Sequence, residues 1–392
     1  MEYMTSAEAA EKWGVTVRQV QRLLAANRIP GIKKYGRSQL IPKGAEKPGD
    51  PRSKEYDPNN SLHFKLAEII EATTLPMPSD NPGSILDTTK EERLQLHYES
   101  EIAYLRGDFE SVKDCFHKTE GDSASRLRAC SVAIAAAIST GDYPLYLEIE
   151  NHLKNVISKS EDRSVIAFAE LSLSNAYLSA AAPNIAPDWL KNGDFSNLHN
   201  KAKPDAVYKR AKYFQATGKF ESMLATSETA LTFCGFTGGV SFYDIYFRVI
   251  CAIACCALGR MDEATSWLQS AMKIALPHGF ITPFAESATA FGGLMEKLLK
   301  KEYPAHHDDI TEQWNSTYVN WRSFHNSFTK HNITLILSLR DYEIALFVAR
   351  RVPYAKIAEH FNMSLGRTKN KIGEIYAELL IDNREDLKEL IL

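Results

Sequence analysis

Residues 337–376 read LSLRDYEIALFVARRVPYAKIAEHFNMSLGRTKNKIGEIY, and the fold is decided there. Ser338 is placed to cap a helix whose inner positions are Ile344, Phe347 and Val348. A second helix runs from Tyr354 to Phe361, with Ile357, Ala358 and Phe361 inward. Asn362 tolerates the left-handed turn conformation, and Ser364 is a good N-cap for a third helix. On that helix Thr368, Ile372, Ile375 and Leu379 share the core face, which leaves Arg367, Lys369, Asn370 and Lys371 mostly outside. A short fourth helix follows Asn383. No acid stands on the third helix before Glu374. A bare basic helix N-terminus suits phosphate, because cationic side chains, free N–H groups and the helix dipole act together.

The stretch resembles the LuxR-type DNA-binding domain. The family's L-T-P-R-E-x-E-V stands here as LSLRDYEI (Leu337 to Ile344), and its E-I-A-x-x-L-x-I-S as KIAEHFNMS. Its T-V-K-x-H-x-x-x-I-Y-x-K-L stands as RTKNKIGEIYAEL, and its closing N-R-x-E-L as NREDL. The departures are Leu339 for the family Pro, Arg351 for the Gly after the first helix, Arg367 for the recognition-helix Thr and Lys371 for the usual His. The resemblance therefore implies the four-helix fold over 335–392 and carries no base preference. It implies a duplex interface at Ser364, Arg367, Thr368, Lys369, Asn370 and Lys371, with Lys369 at the family's DNA-contacting lysine.

Residues 1–48 hold a second candidate. Thr5 with Glu8 and Thr16 with Gln19 are capping-box pairs. The first opens a helix that runs to Trp13 and stops at Gly14. The second opens a helix expected to bury Val17, Val20 and Leu24, to turn Arg18, Gln19 and Arg22 outward, and to end near Asn27. GIKKYGRSQLIP then reads as a β-hairpin with Lys33, Lys34 and Arg37 near its tip. Two small helices and a basic hairpin make a winged helix-turn-helix. The stretch AAEKWGVTVRQVQRL…IPG…GRS…IP resembles the MerR or excisionase type. That resemblance implies base contacts from Thr16, Arg18, Gln19 and Arg22, and phosphate contacts from Lys33, Lys34 and Arg37.

Residues 49–88 read as a proline-rich linker with one helix. Between 89 and 330, LRGDFESV, STGDYPLY, ATGKFESM and ALGRMDEA place glycines at 107, 141, 218 and 259. Each glycine ends an apolar helix, and a bulky residue two positions on opens the next. This pattern resembles a tetratricopeptide-type repeat with degenerate units between 141 and 218, a solenoid whose concave face takes a ligand or a second subunit. LGRMDEATSWLQSAMKIALPHGFITPFAE is similar to the repeats before the LuxR-type domain of large ATP-dependent regulators of the maltose-activator kind. Those regulators begin with a nucleotide-binding domain, yet this chain has no G-x-x-x-x-G-K-[ST], and no ATPase activity is expected.

The remaining features are bland. The six cysteines make no CxxC pair and read as buried thiols of a reducing compartment. Cys251 and Cys255 lack further metal ligands, and HHDD at His306 to Asp309 reads as a polar break between helices. The insert PNIAPDWLKNGDFSNL around Trp189 reads as an ordinary packed loop, with a lining of the concave face as the alternative. No nucleophile–base set can be assembled, so no catalytic residue, cofactor or metal is assigned. No run approaches membrane-spanning length, and MEYMTSAEAAEKWG lacks an apolar signal core, so the expected compartment is the cytoplasm. Charge is uneven. Residues 1–52 carry +5 (ten Lys and Arg against five Asp and Glu), residues 337–392 carry nine of each, and with −3 overall the middle carries −8. Together these readings point to a mainly α, cytoplasmic, one-component transcription regulator of bacterial type, bound to double-stranded DNA as a homodimer. A peptide, metabolite or protein ligand would sit on the repeats. The alternative is a repeat scaffold whose terminal modules are docking surfaces.

Overall fold

The chain is mainly α-helical in the computed structural model. It describes residues 3–25, 29, 32–35, 38–45, 47, 77–78, 80–233, 241–330 and 333–391. Two units separate, Met1–Phe64 and Lys65–Leu392.

In the first unit, Thr5 caps α1 (Ser6–Trp13) in a reciprocal box with Glu8, and Gly14 ends it at φ +61°. Helix α2 (Val17–Ala25) buries Val20 and Leu24 against Met4, Ala9, Ala10, Ile29 and Ile41. Val17, expected inside, is 41% exposed, and Leu23 packs on the core instead. The buried stripe starts one turn into the helix because the first turn belongs to the Thr16 cap. Strands β2 (Lys33–Tyr35) and β3 (Ser38–Pro42) pair antiparallel, with Lys34 opposite Gln39. A strand the sequence did not signal, β1 (Tyr3–Met4), pairs on the other edge of β3, giving the order β1-β3-β2. Two residues carry no periodicity, so only the sheet reveals β1. The expected helix end near Asn27 lies outside the described residues.

The second unit opens with the one-turn helix α3 (Ile85–Thr88); most of the 49–88 linker lies outside the described residues. Helical pairs follow: α4 (Glu92–Arg106) with α5 (Phe109–Lys118), and α6 (Ser123–Thr140) with α7 (Tyr143–Lys159). Next come α8 (Arg163–Ser179) with the stub α9 (Asp188–Asn192), and α10 (Lys203–Ala216) with α11 (Phe220–Phe233). The last pair is α12 (Phe242–Ala257) with α13 (Met261–Ala275). Gly107, Gly141, Gly218 and Gly259 all stand at positive φ, each closing the first helix of a pair two residues before the second begins. The pair α8 and α9 departs from the others. Its turn uses Ala181 at φ +53° where the others use glycine, and its second helix has shrunk to five residues.

The first helices of successive pairs, α4, α6, α8, α10 and α12, touch one another in order and form an inner layer. The short helix α14 (Thr282–Ala285) joins the two ends of that layer, contacting both α4 and α12. Thr282 Oγ1 donates to the Tyr104 carbonyl at 2.6 Å. Glu286 accepts from the Tyr104 hydroxyl and, at 3.0 Å, from Tyr246. Burial pushes the Glu286 carboxyl upward, and these two hydroxyls with nearby Lys212 oppose that. Helix α15 (Leu294–Glu302) leads to α16 (His307–Thr329), which lies against α6 and α14. His307 to Asp309, read as a break, form the first turn of α16, where acids favour the positive end of the helix dipole.

The C-terminal part comprises α17 (Ile333–Ile336), α18 (Leu339–Ala349), α19 (Tyr354–His360), α20 (Leu365–Leu379) and α21 (Arg384–Ile391). Its core is Ile333, Leu337, Tyr342, Ile344, Phe347, Val348, Ile357, Phe361, Ile372, Ile375 and Leu387. It docks on the helical pairs through several contacts. Arg350 donates to the Ala216 carbonyl, Phe347 stacks on Phe220 at 6.1 Å, and Gly292 lies against the His360 carbonyl. The His360 ring faces the Cys256 carbonyl at 3.4 Å, and burial holds it well down, at about 4, hence neutral. Between the docked surfaces lies a cleft of about 740 Å3. Among the described residues no helix is long and apolar enough to cross a membrane.

Arg351 follows α18 at φ +61°, a conformation that glycine adopts without strain. Its side chain pairs with Glu385, but both are more than half exposed, so that pair contributes little. Arg351→Gly is expected to stabilise the protein by about 0.5–1 kcal/mol. Thermal unfolding checks this. A lower midpoint in the variant would mean the surface pair outweighs the backbone strain.

Candidate nucleic-acid interface

Helix α20 begins where the chain turns out of α19 through Asn362 at φ +56°. Ser364 then caps it, its hydroxyl accepting from the Arg367 N–H at 3.2 Å. The cap thus takes the Arg367 N–H and closes a first turn built from Leu365, Gly366 and Arg367. A Cβ added at Gly366 would meet nothing within 4 Å, and Leu365 is 44% exposed. An apolar side chain beside unobstructed backbone can rest on a thymine methyl while the N–H groups face a phosphate.

The six C-terminal site residues divide. Arg367, Lys369 and Asn370 are exposed, and among the described residues no ion pair engages Arg367 or Lys369. Thr368 is fully buried, and its hydroxyl donates to the Ser364 carbonyl at 3.1 Å. It positions the helix start and presents nothing outward. Lys371 is half-buried, its ammonium 2.9 Å from Glu374 and 3.3 Å from Asp341. The Glu374 hydrogen bond, supported by Asp341, raises its pKa above the ordinary lysine value. The sequence showed Glu374 but gave no sign that Asp341, thirty positions away, reaches the same ammonium.

At the other end, Thr16, Arg18, Gln19 and Arg22 are all exposed on α2. Gln19 Oε1 already accepts from the Thr16 N–H at 2.9 Å, and the Gln19 N–H donates to Thr16 Oγ1 at 3.3 Å. This leaves the Gln19 amide NH2 as its outward group. Lys33 is exposed, with its ammonium 5.3 Å from the centre of the Tyr3 ring. Lys34 pairs within the hairpin backbone; its side chain, and Arg37 entirely, lie outside the described residues. Trp13 donates to the Ala45 carbonyl at 3.1 Å and Lys12 to the Lys43 carbonyl at 2.6 Å, which tie α1 to the segment after β3.

Other candidates resolve as packing. Cys115, Cys130, Cys251, Cys255 and Cys256 are buried free thiols, and Cys234 lies outside the described residues. Burial raises the described thiols, Cys255 to about 11 and Cys256 to about 12. Trp189 packs on Phe195 and donates to Glu170 at 2.6 Å, while Pro183, Asn184 and Ile185 of the same insert line the cleft.

Compared with protein-family models, curated proteins and solved structures, the chain gives no match. The functional reading stands on its own residues.

Proposed function

We propose that the protein is a sequence-specific, DNA-binding transcription regulator without an ATPase or other enzymatic activity. It would work in the cytoplasm as a homodimer. In this reading residues 335–392 are a LuxR-type helix-turn-helix, residues 1–48 a MerR-like winged helix-turn-helix, and residues 89–330 a tetratricopeptide-like solenoid that senses a ligand or a protein. The observation that carries the proposal is the start of α20, where Arg367 and Lys369 stand exposed, with no ion pair among the described residues, beside a Ser-capped helix N-terminus. Arg18 and Arg22 on α2 and Lys33 on the hairpin supply the same chemistry at the other end.

The test is binding of the full chain to duplex from its own upstream region, with unrelated duplex as competitor, at 50 and 200 mM salt. Contacts to about six phosphates would weaken binding by ~10³-fold over that range. The net-neutral C-terminal module favours a second reading, a repeat scaffold with the module as a docking surface. Absent binding, or equal binding to both duplexes with no salt response, would support that reading and remove the first.

A further inference from the structure

The cleft between the helical pairs and the C-terminal helices holds buried polar atoms without hydrogen-bond partners among the described residues. Its walls come from both sides: α10, α16 and residues 285–290 of the repeats, and α18 and α21 of the C-terminal part. Among the described residues, Glu343 on α18 has its Oε2 buried without a hydrogen-bond partner, and Gln215 on α10 has its Oε1 in the same condition. Buried acceptors left without donors are uncommon and costly. The neighbouring cations also have contacts of their own. Arg340 donates to the Phe361 carbonyl at 2.8 Å, Arg350 donates to the Ala216 carbonyl, and Lys212 acts on Glu286. Arg350 Nε is itself without an acceptor among the described residues, so the cleft lining carries one buried donor and two buried acceptors of this kind. Burial pushes the Glu343 carboxyl up to about 7, with the Thr289 hydroxyl and Arg340 opposing. That is the behaviour of a carboxyl whose burial outweighs the help of its neighbours.

Facing these groups, α16 carries an aromatic ladder. Trp314, Tyr318 and Trp321 repeat at helical spacing and are half-buried. Trp314 stacks on Tyr318 at 5.9 Å with 8° between planes, and Tyr318 on Trp321 at 6.3 Å. All three line the cleft, whose volume of about 740 Å3 falls in the range of small-molecule sites. Ring faces beside a buried carboxyl group are the chemistry of cation recognition.

We propose that this cleft binds a small organic cation, an amine on an aromatic or apolar body. Its ammonium meets Glu343 and Gln215, and its body rests on Trp314, Tyr318 and Trp321. Because the walls belong to both the repeats and the C-terminal helices, occupancy bears on how the two fit together. The binding step does not depend on the DNA reading above.

Calorimetric titration of the full chain uses tryptamine and phenyltrimethylammonium as cationic probes and indole-3-propionate as the anionic counterpart. At least one cation is expected to bind with a submillimolar Kd and indole-3-propionate not to bind. Glu343→Gln is expected to weaken the cation at least tenfold while melting no lower than the parent. Trp314→Leu, at a half-buried position, supplies a second variant with the same expected loss. Binding of neither cation, equal binding of the anion, or unchanged affinity in a folded Glu343→Gln or Trp314→Leu protein would overturn the proposal. No DNA is present, so failure here is distinct from failure of the regulatory reading.

Discussion

Gly292→Ala is expected to destabilise the protein by about 3 kcal/mol or more and to loosen the C-terminal helices from the repeats. Gly292 stands at φ +56°, and a Cβ there would overlap the carbonyl oxygen of His360. The obstacle is backbone, so no rotamer change relieves it. Either the 288–292 turn or α19 must move, and both carry packing. His360 stacks on Phe347 at 4.8 Å, and Phe347 stacks in turn on Phe220 of the repeats. Left-handed strain adds ~1–2 kcal/mol. Gly293 is the internal control: it stands at φ +98° with nothing within 4 Å of an added Cβ, so Gly293→Ala carries strain alone. Thermal unfolding and limited proteolysis between 330 and 338 compare the two. Equal behaviour of the variants would show that the contact with His360 is not made in solution.

Arg367→Ala with Lys369→Ala is expected to weaken duplex binding by about 10–100-fold at moderate salt and to flatten the salt slope by roughly two units. Both cations are exposed at the start of α20 and have no ion pair among the described residues, so each can replace a counterion. Lys371→Ala is expected to change the slope less. Its ammonium is already held by Glu374 and Asp341, and engaging a phosphate would mean exchanging those partners. Fluorescence anisotropy at several salt concentrations separates the cases. An unchanged slope in the double variant would take α20 out of the interface, and a larger effect from Lys371 would mean that its two carboxylates yield to DNA.

Much of the helical framework was legible from local chemistry. Thr5, Ser338 and Ser364 announce helix starts, and each side chain accepts the backbone hydrogen bond that the pattern requires. The turn glycines work in the same way, because a left-handed residue two positions before a bulky one is a local event. Turns that tolerate strain were harder to read. Ala181, Lys330, Arg351 and Leu380 hold positive φ without being glycine. At Arg351 only the comparison with a family pattern singled out the position, and its left-handed backbone came with the structure. Strand β1 was illegible because two residues have no period. Helix α16 was misread at its start because HHDD has the composition of a loop, although its acids suit a helix N-terminus.

The site was legible only in part, for the same physical reason. Exposure of Arg367, Lys369 and Asn370 follows from helical periodicity, which fixes which face of α20 is buried. The engagement of Lys371 by Asp341 depends on how two helices cross, and no spacing along the chain reports that. The cleft lay further still from view. It joins residues such as Gln215, Trp314 and Glu343, brought together by a repeat array whose ends are tied by Thr282 and Tyr104 across 178 positions.

All six cysteines fall between 115 and 256, within the repeats, and the five described ones are buried as neutral thiols. Alkylation requires thiolate and access, and the folded repeats withhold both. The rate at which a mild alkylating reagent consumes those five thiols is therefore a clock for spontaneous opening of the repeat array. The terminal modules contribute no background to it, since neither residues 1–48 nor 335–392 contain cysteine.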